Sequence, residues 1–277
     1  MTGSANSGNC ARKDSRSRAA SFPSGEVVSF NASVLPRTDR EAAATGDGAS
    51  EERGPRAVRV WDLPTRVFHW SLALCVVGSF ASAKIGGNAM TWHLGFGYAV
   101  CALLTFRFVW GFAGGRWSRF ANFLYSPATL LRYLRGERRD DEHLDVGHTP
   151  LGSASVFAML LFLTAQVASG LFADDEIATT GPLNKLVSSA TALWLSDYHG
   201  SIGQWVLLTL ILLHVGAILT YRLRLRTDLI GPMISGDKWL PSEVPASKDD
   251  HTTWALAAVL LTVCAAVVAF VVTVGGG

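Results

Sequence analysis

Cysteine is scarce in this chain of 277 residues: Cys10, Cys75, Cys101 and Cys264 are the only four, and no two stand as a Cys-x-x-Cys pair. That absence excludes covalent attachment of a c-type haem and leaves no thiolate set for a zinc site or an iron–sulfur cluster. Three of the four lie in apolar segments, where cysteine is a small packing residue. Charge is thin as well, at 17% of residues against 49% hydrophobic, a composition on the membrane side of ordinary globular proteins. Residues 1–57 carry almost no aromatic side chains and no apolar run of signal-peptide length. They are expected to form a disordered cytoplasmic tail, with Arg12, Lys13, Arg16 and Arg18 solvated. Paired acids and broken helices are missing from the apolar segments, which argues against a transporter. No nucleic-acid partner is expected.

What the chain does have is five apolar segments, at residues 67–83, 92–112, 151–172, 205–220 and 254–274. Each is long enough to cross a bilayer once its helical ends are included. Basic residues divide the connections into two kinds. Arg53, Arg56, Arg59 and Arg66 precede the first segment, six arginines between Arg116 and Arg139 follow the second, and Arg222, Arg224 and Arg226 follow the fourth. The first and third loops hold one basic residue each, Lys84 and Lys185. The positive-inside rule then puts the amino terminus in the cytoplasm and, after five spans, the carboxyl terminus outside. The long second loop is expected to carry a surface helix around residues 127–135, and the third loop a short helix near 183–193.

Histidine is the informative polar residue. His199 and His214 stand fifteen residues apart on the fourth segment, about 22 Å of helical rise and about 60° past four turns. The two rings therefore lie near opposite faces of the membrane on roughly one side of the helix. His69 starts the first segment and His93 the second, so the orientation above groups His69 with His214 near the cytoplasm and His93 with His199 at the outer face. An inward-facing imidazole at membrane depth needs a partner, either a polar group on a neighbouring helix or a metal centre. Two levels of two histidines suit two six-coordinate b-type haems, each needing one neutral imidazole on either face of the macrocycle. Zinc would need four ligands, and only two are offered at each level.

Arg107, fourteen residues after His93, is a charge within the second segment. It falls on the same stripe about 21 Å away, at the level of His69 and His214. There its guanidinium either holds a propionate as a bidentate pair or snorkels to the headgroups. His148 stands where the third segment begins, placed to hydrogen-bond a propionate or a quinone, or to cap the interface. His143 and His251, in polar loops, are read as solvated.

From about residue 59 to 238 the chain resembles the bacterial cytochrome b561 family, which includes the b-type cytochrome subunit of nickel-iron hydrogenases. The stretches that carry the resemblance are WDLPTRVFHW, TWHLGFGYA, RFVWGFAGG with RFANF and SPATLLRYLRG, GHTPLG, SGLFADDEIATTGPL, and DYHG through LLHVGA. It implies an all-α integral membrane protein of the bacterial inner membrane, a four-helix di-haem bundle over residues 58–240. A linker and a fifth transmembrane helix occupy 241–277 and the disordered tail 1–57. The implied haem ligands are His69, His93, His199 and His214. The implied function is electron transfer across the bilayer between the quinone pool and a redox partner, a hydrogenase or a c-type cytochrome. An electron-transfer subunit is favoured over a stand-alone enzyme; the alternative is a superoxide:quinone oxidoreductase acting at the outer face. One departure stands out. Family members more often have fourteen residues between the two histidines of the fourth helix, so a bulge or a rotated ring must absorb about 100° here.

Overall fold

The computed structural model describes residues 55–137, 144, 146–177, 179–241 and 243–276. The expected tail, apart from its last three residues, and His143 lie outside them. A short strand, β1 (Arg56–Arg59), leads into α1 (Leu63–Ile85). The start of α1 is set by Asp62, whose carboxylate accepts from Thr65 N, and by Pro64 in the first turn, where no hydrogen bond is lost. It stops at Gly86, which takes φ of 68°, a conformation that costs glycine little. After a single 3₁₀ turn, α2 (Met90–Ala113) returns antiparallel to α1. The Arg-rich connection holds α3 (Pro127–Leu134), capped by Ser126, which matches the expected surface helix.

Thr149 caps α4 (Pro150–Phe172), and Ser188 caps α5 (Ser189–Tyr198). Here the structure departs from the expected short loop helix near 183–193. A 3₁₀ turn covers Asn184–Leu186, and α5 runs through a π-turn (His199–Gly203) straight into α6 (Gln204–Leu223). The result is one rod, Ser189–Leu223, of 35 residues. No proline interrupts it, and two of its three glycines, at 200 and 203, fall inside the π-turn.

The polar stretch after α6 is also more than a connection. It forms α7 (Ile230–Ser235) and β2 (Asp237–Leu240), and β2 pairs antiparallel with β1 in the register Arg56↔Leu240 to Arg59↔Asp237. Val58, Val60, Trp61, Val146, Leu240 and Val244 make a small core against this ribbon. Asp249 accepts from Leu63 N (2.9 Å) and Trp254 Nε1 (2.6 Å) and pairs with Arg59 (2.8 Å). Its charge is thereby satisfied although its side chain is only 6% exposed. The start of α8 (His251–Gly276) is thus tied to the start of α1.

α2 is the central helix. It packs against α1, α4 and α8, while α6 packs against α4. One apolar cluster (Phe68, Leu103, Phe106, Trp110, Ala257, Cys264) joins α1, α2 and α8; a second (Val100, Leu104, Leu160, Leu163, Leu207) joins α2, α4 and α6, with Leu72 and Val76 of α1 against it. Outward, the same helices expose Leu74, Val77, Leu161, Leu213, Val259 and Phe270. In water so much apolar surface would be an aggregation liability, whereas in a bilayer it faces its proper solvent. Among the described residues, five helices are long and apolar enough to cross a membrane, and the protein is a multi-pass membrane protein.

Candidate functional site

The four span histidines gather at two depths. At one, His93 of α2 and His199 at the start of the π-turn bring their rings to a centroid separation of 5.8 Å at 84°. Both are anchored through Nδ1. That of His93 contacts the carbonyl of Ser79 on α1 (2.9 Å), and that of His199 the carbonyl of Gln166 on α4 (2.8 Å). A carbonyl only accepts, so each Nδ1 carries the proton and each Nε2 presents a lone pair. A hydrogen bond of this kind is what orients an imidazole for metal ligation and raises its basicity. Ser79 Oγ (3.1 Å) and Ser169 Oγ (3.3 Å) stand beside the same nitrogens. Gly170 makes room, since a Cβ there would lie 2.8 Å from His199 Cε1.

The second depth is built differently. His69 near the start of α1 and His214 midway along α6 are within electrostatic reach of each other. His148, just before α4, is half-buried, its ring wedged between Trp61 (4.7 Å) and Phe123 (4.4 Å). Burial, and then the charges of Arg107, His214 and His69, hold its pKa well below the ordinary histidine value, so it is neutral. Arg107 is 4% exposed: Nη2 donates to Ser118 O (3.1 Å), and the guanidinium lies 4.6 Å from the Phe120 ring centroid. Nη1 of Arg107 and the Nδ1 atoms of His69 and His148 are buried with no hydrogen-bond partner in the protein. Three orphaned polar atoms around one site are costly unless a polar group joins them. An anionic, acceptor-rich substituent beside a metal centre fits that need.

Asp62 stabilises this end. It is fully buried and accepts four hydrogen bonds, from Thr65 N (2.8 Å), Ser118 Oγ (2.8 Å), Gly115 N (3.1 Å) and Trp110 Nε1 (3.3 Å), with Arg107 within electrostatic reach. Between the two depths lies the apolar layer of Leu72, Val76, Val100, Leu104, Leu160, Leu207 and their neighbours. Among the described residues no three His, Cys, Asp or Glu side chains converge as a metal-binding group, so paired imidazoles are the ligand sets on offer.

All six residues singled out from the sequence, His69, His93, His199, His214, Arg107 and His148, fall at one depth or the other, while His251 is exposed against Trp254 at the start of α8. The sequence reading missed Ser79, Asp62, Gln166 and Ser169. Gln166 was the most detectable of them, an amide in an otherwise apolar span. The acidic run Asp174–Asp175–Glu176 shapes its own loop: Asp174 Oδ1 accepts from Glu176 N, and Asp175 Oδ1 from Ile177 N and Thr179 N.

Residues 60–236 match the family model described as prokaryotic cytochrome b561, a region that ends before β2 and α8. Among curated proteins, the chain is similar to the probable Ni/Fe-hydrogenase B-type cytochrome subunit of Bradyrhizobium diazoefficiens, with 23% identity over 74% of this chain and 97% of that protein. The proteins of the same description from Azotobacter vinelandii (27% identity, 73% and 96% covered) and Rhodobacter capsulatus (23%, 70% and 87%) are similar to it as well. No solved structure gives a significant match to the chain.

Proposed function

The chain belongs to the prokaryotic cytochrome b561 family, and from that premise we propose that this membrane cytochrome b carries electrons through two b-type haems between the quinone pool and a hydrogenase-type partner. The observation that carries the reading is the pair of carbonyl-fixed imidazoles, His93 and His199, facing each other across 5.8 Å. Each offers an unprotonated Nε2, as a six-coordinate iron requires of both its axial ligands. His69 and His214 are the second pair. Bound haem supplies one-electron exchange at its iron, and the protein supplies ligation, spacing and electrostatics.

In this reading the amino terminus is cytoplasmic, by the basic residues flanking α1, α2 and α6. That orientation puts the His69 level inward and the His93 level outward. Fifteen residues of helix separate the levels, about 22 Å of rise. An apolar layer of packed side chains lies between them. Arg107 Nη1 and His148 would hold the propionates at the inner level, which would give two of the three orphaned polar atoms a partner. A quinone headgroup exchanges electrons near the membrane face.

The test is partner-dependent reduction. With the hydrogenase-type partner co-purified, hydrogen is expected to reduce the haem absorbance, and added oxidised quinone to restore it. Rapid reduction of the isolated chain by superoxide, with no response to the partner, would overturn the reading in favour of a superoxide:quinone oxidoreductase.

A further inference from the structure

The fourth span, which holds His199 and His214, carries one residue more than a regular turn would hold, and the structure puts that residue in the π-turn His199–Gly203. A widened turn sets the helix back by about one residue's rotation, roughly 100°. The faces of α5 and α6 are thereby phased independently around it. Such a turn inside apolar surroundings disturbs the backbone ladder and needs side-chain partners from neighbouring helices. One residue of α4 meets that need.

Gln166 grips His199 at two places. Its main-chain carbonyl accepts the ring Nδ1–H at 2.8 Å, and its side-chain Nε2 donates to the His199 carbonyl at 2.9 Å. Its Oε1 lies against Gly203 at the other end of the turn, where any Cβ would collide with it. That same oxygen is buried without a hydrogen-bond partner. Leucine would fill the space without burying an orphaned acceptor, so packing alone does not account for an amide here. Its donor, spent on the widened turn, does.

We propose that Gln166 is a positioning residue for His199: its side chain braces the π-turn so that the imidazole stays aimed at His93, and the extra residue in the helix is what makes the brace necessary. The proposal rests on the reading of His199 as an axial haem ligand.

The test is a coupling experiment on the purified full chain, read by haem content, redox titration and low-temperature electron paramagnetic resonance. Gln166→Leu is expected to weaken haem retention at the His93–His199 level by roughly tenfold, the usual effect of losing a second-shell contact. It should also shift that level's resonance and leave the His69–His214 level unchanged. Deleting Ile202, which lies in the π-turn and is 61% exposed, is expected to return the turn to regular helix with both haems in place. Adding Gln166→Leu to that deletion should then change nothing further. Unchanged signals in Gln166→Leu, or an equal loss with and without Ile202, would overturn the proposal. If Gln166→Leu does not fold in the full-length chain, the deletion with and without it still decides: equal spectra support the brace, and loss of the outer signal contradicts it. His199→Ala is the separate control. Full haem content in that variant would remove the ligand assignment itself, whatever Gln166 does.

Discussion

The two histidine levels solve one problem in opposite ways. At the His93 level both imidazoles are fixed by main-chain carbonyls of neighbouring helices, Ser79 on α1 and Gln166 on α4. At the His69 level one polar atom each of His69, His148 and Arg107 is left without a protein partner, and the rigidity comes from a buried carboxylate, Asp62, and the loop that it holds. The first level is organised to aim ligands. The second is suited to receive charge, because Arg107, a buried guanidinium with one nitrogen unpaired, is fully satisfied only when an acceptor joins it. A positive neighbour also favours the more electron-rich reduced state, so the His69 level should have the higher midpoint potential of the two.

The largest expected effect breaks the comparison outright. His93→Ala or His199→Ala should remove the haem of one level, and His69→Ala or His214→Ala that of the other, with the remaining centre still titrating in each variant. Identical residual spectra and potentials from His69→Ala and His199→Ala would show that the pairing is wrong. His143→Ala should alter neither centre.

Next comes Asp62→Ala, which takes away the cap of α1, unpairs four donors and leaves Arg107 uncompensated. A loss on the order of 2–4 kcal/mol is expected, seen as a lower thermal midpoint in detergent. The damage should centre on the His69 level, so the midpoint potential of that level should move while the other holds. A uniform loss of both haems would blur the distinction drawn between the levels.

Arg107→Leu sharpens the comparison. Removing the buried cation should lower the midpoint of the His69-level haem by roughly 60 mV, a factor of ten in a one-electron equilibrium, or loosen that haem, and leave the other midpoint in place. Two unshifted midpoints with full haem content would reduce Arg107 to an anchor. The smallest effect belongs to the acidic run. Asp174 and Asp175 are spent on their own turn, so neutralising Asp174, Asp175 and Glu176 together should change the salt dependence of electron transfer with a partner only slightly. A large change would make this loop a docking surface.

The spans and the four histidines were legible because both signals are local. An apolar run long enough to cross a bilayer is visible by itself, and a histidine inside one stands out against it. Arg107 was legible for the same reason. The β1–β2 ribbon was not, since two four-residue strands far apart in the chain pair without any local mark. Asp62 was half legible: an aspartate two residues before Pro64 reads as a helix cap, but its bonds to Trp110, Gly115 and Ser118 depend on the fold of α2 and the loop after it. The spacing between His199 and His214 demanded a bulge or a turned ring. Only the structure shows that it is a π-turn and that Gln166 meets it.

On this reading one chain holds two non-covalent haems, one at each level. Extraction of haem from the purified full chain into acidified organic solvent, quantified per polypeptide, is the decisive measurement. Two haems per chain, all extractable, is the expected result; one haem or none in well-folded protein would overturn the two-level arrangement.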